Sequence, residues 1–252
     1  MPMDNLGRVE RVLESVDFFK PRSTRRKFLT AIAAGGAGAA AAAAGLSRVI
    51  PASADSGTVV GFGNAAVGAE KIAVAFYSNA LGMTSPYGVP ADLAKGTILN
   101  SAHRDYFNAA RNQEANHLAT LQGLGLSFSP NTFAFPAGTF ASAPSMLAIG
   151  EALENIFIGA YLGAVQGAAA LGTSFGTFIA EAAAEICGVE CAHRVLIRDI
   201  AGEDPPNDRF YEGDAGVPGP SSDAGNTGTR SHVYGTGDEA VAALLGLGIT
   251  TP

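Results

Sequence analysis

Glu114-Ala-Asn-His117 and Glu190-Cys-Ala-His193 are the stretches on which the reading of this chain turns. In an α-helix, residues three apart stand on one face, roughly 60° apart around the axis. A Glu and a His at that interval can therefore reach one metal ion from a single helix. The chain has only 4 His, and two of them preceded by Glu at the same interval is a pattern chance seldom supplies. One Glu-x-x-His alone is weak, because most such pairs are solvated helix faces. Two of them on two helices, with one further Glu from each of two more, complete a set of six ligands. Glu70 and Glu154 are available for those two places.

The surrounding pattern supplies four helices. An extended lead-in from Asp55 to about Gly63 precedes the first, from about Asn64 to Leu81, with Ile72, Ala75 and Phe76 at helical spacing. Gly82 to Pro90 is turn chemistry. The second helix runs from Ala91 or Asp92 to Gln122, with an interruption near Gly96-Thr97 and Gly123 and Gly125 suited to its end. The third covers Ser145 to Ala170, with Pro144 before it and Ser145 as N-cap. After Gly172-Thr173 the fourth runs from Ser174 to Ile200 and is stopped by Gly202-Glu-Asp-Pro-Pro206. Asn207 to Thr236, rich in Gly, Pro, Ser and Asp, reads as irregular, and Gly237 to Leu247 as a short helix packing back on the domain.

Leu124 to Ala143 is neither helix nor ordinary linker. It carries Phe128, Phe133, Phe135 and Phe140 and no charged residue, so it should lie against the bundle. About twenty residues extend roughly 66 to 72 Å, while a helix of about 28 residues is only about 42 Å long. The segment can run the bundle's full length, which lets the second and third helices lie parallel. The short connections elsewhere suit antiparallel neighbours.

The beginning of the chain reads as an address. Ser23-Thr24-Arg25-Arg26-Lys27-Phe28-Leu29 resembles a twin-arginine export signal, followed by a mildly apolar Ala/Gly run to Leu46 and by Ala52-Ser53-Ala54, a small-residue cleavage site. The run is short of a confident span, which favours cleavage after Ala54 over retention as an anchor. The expected organisation is a signal at 1–54, a bundle at 55–204 and a Gly/Pro-rich segment at 205–252. Export places the mature protein in the periplasm, the cell envelope or outside, with the twin-arginine machinery as a partner.

Residues 1–54 hold eight Lys/Arg and four Asp/Glu, which leaves 8 against 19 in the rest, a net of −11. That balance argues against nucleic acid as a partner. Cys187 and Cys191 are four apart on one expected helix, a spacing poorly suited to an unstrained disulfide, and they read as small apolar residues.

An internal echo ties the first helix to the third. Glu70-Lys-Ile-Ala-Val-Ala-Phe-Tyr77 matches Glu154-Asn-Ile-Phe-Ile-Gly-Ala-Tyr161 at its Glu, Ile, β-branched and Tyr positions. Each Tyr lies two turns from its Glu. The tyrosines read as amphipathic residues at the bundle rim, with a role beside the ligands as the alternative. Glu151, three before Glu154, competes as a ligand, and the Tyr echo favours Glu154. His103, His232, Glu181 and Glu185 read as solvated positions.

Together these features resemble the ferritin-like superfamily, and more narrowly the exported ferritin-like proteins related to desiccation- and stress-associated proteins. The resemblance covers roughly Asn64 to Asp204. It implies an all-α, ferritin-like four-helix bundle with one long crossover between its second and third helices. Glu70 and Glu154 would be the lone carboxylates, and Glu114/His117 and Glu190/His193 the paired ligands, of two Fe or two Mn ions. The departure lies in the first helix, where Lys71 follows Glu70 and large apolar residues are few.

Four carboxylates and two neutral imidazoles carry a charge of about −4, which two divalent ions balance. Such a centre suits redox handling of peroxide, O₂ or Fe(II), as in a ferroxidase- or catalase-like oxidoreductase. The alternative is a non-catalytic desiccation or stress protein that sequesters metal or uses it structurally. A bundle that acts through its surface without metal is a third reading, against which the six retained ligand types argue. A small oxidant and a second copy of the chain are further expected partners.

Overall fold

The computed structural model describes residues 59–89, 93–94, 98–204, 206 and 233–252. The expected leader (1–54), Gly96-Thr97 and most of the irregular segment (207–232) lie outside the described residues. In chain order the helices are α1 (Val59–Ala80), α2 (Ser101–Gly123), α3 (Ala143–Ala170), α4 (Ser174–Ala201) and α5 (Gly237–Gly246). The described residues contain no strand, only the isolated bridges Gly88–Phe133 and Ala134–Thr250. The all-α expectation holds.

α1 starts five residues before the expected Asn64, because packing overrides the weak helix propensity of Gly61 and Gly63. Phe62 is buried against Gly163 of α3, and Leu126 lies over Gly63. From Ala65 to Ala80 every residue of α1 is buried. Small residues are what a helix enclosed on all sides can carry: a Cβ at Gly68 would come within 2.8 Å of the Phe128 ring. The shortage of large apolar side chains here is therefore a packing requirement.

α2 starts later than expected. The expected starts at Ala91 and Asp92 lie outside the described residues; Asn100 is the N-cap and accepts from the His103 amide at 2.9 Å. Ala94 and Leu99 precede it as buried, non-helical anchors. For α3 the cap is Ser142 and not Ser145, and Pro144 sits in the first turn, where its missing N–H would be unused anyway. Thr173 caps α4, which closes on left-handed Gly202 (φ 82°). Thr236 and Glu239 form a reciprocal cap at the start of α5.

Cross-helix contacts fix the directions. Glu70 of α1 lies beside His117 of α2, and Ser78 beside Arg111, so α1 and α2 are antiparallel. Tyr161 of α3 meets Glu70 while Glu154 meets Tyr77, so α3 is also antiparallel to α1. α2 and α3 are thus parallel, and the chain between them must travel the length of the bundle. Residues 124–142 do so, burying Phe133, Phe135 and Phe140, the last two packed on Phe76 of α1. Lys71 fastens the same segment by donating to the Phe128 carbonyl (2.6 Å) and to Asn131.

α1 and α3 are each long and apolar enough to cross a membrane, but 72% and 56% of those stretches are buried inside the protein. Burial in the bundle accounts for their composition. α5 packs on α1 and α3, with Gly237 against the Gly61 carbonyl, where a Cβ would stand 2.5 Å away.

Candidate metal centre

Six side chains from four helices converge at the middle of the bundle: Glu70 from α1, Glu114 and His117 from α2, Glu154 from α3, and Glu190 and His193 from α4. The helical interval of three does what the sequence required, turning each Glu and His of a pair to the same interior face. The four carboxylates and His193 are at most 2% exposed. The His117 side chain keeps 12% of its surface in solvent.

Distances show a near two-fold arrangement. His117 Nδ1 stands 3.1 Å from Glu114 Oε2, 3.3 Å from Glu190 Oε1 and 3.6 Å from Glu70 Oε2. His193 Nδ1 stands 2.8 Å from Glu114 Oε1, 3.2 Å from Glu190 Oε2 and 3.8 Å from Glu154 Oε1. Glu114 and Glu190 each give one oxygen to either histidine. Glu70 serves only the His117 side, and Glu154 only the His193 side.

The ligand atoms therefore fall into two overlapping quartets, Glu70/Glu114/His117/Glu190 and Glu114/Glu154/Glu190/His193, each with all atoms within 4.8 Å of one another. One oxygen on each glutamate (Glu70 Oε2, Glu114 Oε1, Glu154 Oε2, Glu190 Oε1) is buried without a hydrogen-bond partner. Three of these lie near an imidazole nitrogen without hydrogen-bond geometry, and Glu154 Oε2 lacks even that. Buried carboxylate oxygens left in this way are costly. Cations among them would remove the cost, so the donor set fits divalent metal.

The electrostatics point the same way. Burial opposes charging the histidines, yet the carboxylates of Glu114 and Glu190 push His193 up to about 11 and raise His117 well above its usual range. Burial and the neighbouring Glu114 raise Glu70 to about 8. Burial likewise holds Glu154 well above the ordinary carboxyl range. The cluster calls for positive charge, and imidazolium supplies it when no metal does.

Other expectations sort out by position. Tyr77 and Tyr161 are not at the rim; they are 1% and 3% exposed and hydrogen-bond to carboxylates of the cluster. The correction has a simple cause: α1 and α3 are antiparallel, so a Tyr two turns from its own Glu meets the Glu of the other helix. Glu151 does not join the cluster. Its Oε1 accepts from Arg198 Nη1 at 2.6 Å and Arg194 Nη2 at 3.3 Å. His103 lies in the first turn of α2 against Asn100. Glu181 and Glu185 are on the exposed face of α4, and His232 lies outside the described residues. Cys187 and Cys191 form no disulfide, the first being buried and the second half-buried.

Gln113 is the residue sequence reading missed: its Oε1 lies 2.8 Å from His193 Nε2. An exposed glutamine before a ligand carries no sequence signal of its own.

A family model described as ferritin-like domain matches residues 58–203. The chain belongs to that family. The match spans all four helices of the ferritin-like bundle, from the residue before α1 to just beyond α4. Comparison with curated proteins and with solved structures found no match.

Proposed function

We propose that this ferritin-like protein holds a dinuclear Fe or Mn centre on Glu70, Glu114, His117, Glu154, Glu190 and His193, and uses it for redox handling of peroxide, O₂ or Fe(II). The supporting observation is the pair of overlapping quartets that share Glu114 and Glu190. The six residues would hold the two ions, which, by a one-electron change at each, would supply two electrons to a small oxidant or take two back from a reductant. The chain's own contribution is to bury the four carboxylates and His193 away from water and to fix the carboxylates. Tyr77 and Tyr161 donate to Glu154 and Glu70, holding each lone carboxylate in one orientation. The twin-arginine-like leader supports export, a route that suits a protein folded around its metal before leaving the cell. Protection during stress or drying is the role we assign to it.

The test is turnover by protein purified from its own export pathway without added metal. Disproportionation of peroxide or oxidation of Fe(II), lost in the variant His117→Ala/His193→Ala, is the expected result. Full metal content without any turnover would overturn the redox assignment and leave a metal-sequestering stress protein.

A further inference from the structure

The two-fold arrangement is broken at one place. On α2 the run is Gln113-Glu114-x-x-His117, and on α4 the matching run is Val189-Glu190-x-x-His193. Gln113 reaches across the seam between α2 and α4 to the outer nitrogen of His193, Nε2, at 2.8 Å. The position on α4 that matches Gln113 is Val189, whose side chain has no polar atom. The two histidines differ accordingly: His193 is 2% exposed, while the His117 side chain is 12% exposed.

Gln113 Oε1 acts as an acceptor, which requires the proton on His193 Nε2, so that a metal replacing the Nδ1 proton would meet a lone pair already aimed at Glu114, Glu154 and Glu190. An outer hydrogen bond of this kind fixes ring orientation, and its loss typically costs about 10–100-fold in metal affinity. We infer that Gln113 is a positioning residue that makes the halves of the centre unequal: the His193 half binds its ion first and tightly, and the His117 half exchanges with solvent. This rests on the dinuclear reading above.

Anaerobic titration of the metal-free protein with Co(II), followed by calorimetry and by the visible bands of the ion, tests it. Two resolved steps are expected for the wild type. Gln113→Leu should weaken the first step by about 10–100-fold and leave the second in place. Gln113→Glu, which keeps an acceptor, should restore it, and Val189→Gln should tighten the second step. Without metal, the His193 Nε2 proton should give a protected ring resonance that Gln113→Leu abolishes. Equal weakening of both steps, no weakening, or a single two-ion step in the wild type would overturn the inference alone. No Co(II) uptake by the wild type would remove the dinuclear reading and the inference with it.

Discussion

Tyr77 of α1 donates its hydroxyl proton to Glu154 of α3, and the relation is returned by Tyr161 of α3 to Glu70 of α1. Each lone carboxylate of the cluster is thus held by the helix opposite its own. The phenols are fully buried, and burial with the adjacent carboxylates raises both well above the usual tyrosine range, so both remain protonated donors. Tyr77→Phe or Tyr161→Phe leaves a buried carboxylate without its donor. Each should cost about 1–3 kcal/mol of stability, read from denaturant melts of the metal-free protein. A loss under a few tenths would show that these contacts are not structural.

Proton and metal compete for the same groups. Carboxylates raise His193 to about 11 against burial, from 6.5, and burial with Glu114 raises Glu70 to about 8, from 4.5. In those intervals the folded chain binds more protons than the unfolded chain, so metal-free stability falls as pH rises. For Glu70 the fall runs from 4.5 through about 8, and for His193 from 6.5 through about 11. Metal displaces those protons, so its stabilising effect grows over the same span. Unfolding midpoints of metal-free and Mn(II)-bound protein, from about pH 5 to about pH 9, should diverge with rising pH. Converging midpoints would contradict the assignment.

Glu151 and Glu154 are one helical turn apart and do different work. Glu151 faces Arg194 and Arg198, both buried, so Glu151→Ala should cost about 2–3 kcal/mol while leaving metal uptake unchanged. Glu154→Ala should reduce uptake from about two ions per chain to about one. Metal analysis and chemical denaturation of the two variants side by side separate the roles.

Gly163 gives a test of how the C-terminal helix is seated. A Cβ there would stand 2.3 Å from the Tyr234 carbonyl and 2.8 Å from the Phe62 ring. Gly163→Ala should cost about 1–3 kcal/mol and increase proteolysis between α4 and α5. An unchanged melting temperature would mean that the segment before α5 yields freely.

The four helices were legible because their apolar spacing and turn residues are local signals, and the crossover because four Phe without a charge must be buried. Glu114, His117, Glu190 and His193 were legible because an interval of three fixes a helix face regardless of what surrounds it, and Glu70 and Glu154 because the repeated Glu-to-Tyr pattern of α1 and α3 singled them out. Where α1 and α2 begin was not. Phe62 pulls Gly61 and Gly63 into helix by tertiary packing, and α2 begins after Asn100, whose side chain takes the His103 amide. The place of the tyrosines is not legible in the sequence, because their partners lie on another helix, 77 and 91 residues away. Gln113 was invisible for the same reason: its partner is His193, 80 residues on.

The central claim is that the shared carboxylates Glu114 and Glu190 hold two metal ions at once. Anaerobic titration of metal-free protein with Fe(II) or Mn(II), read as ions bound per chain, tests it most directly. Two ions per chain for the wild type, and loss of both in Glu114→Ala/Glu190→Ala, is the predicted result. One ion or none in the wild type, or two retained in that variant, would contradict it.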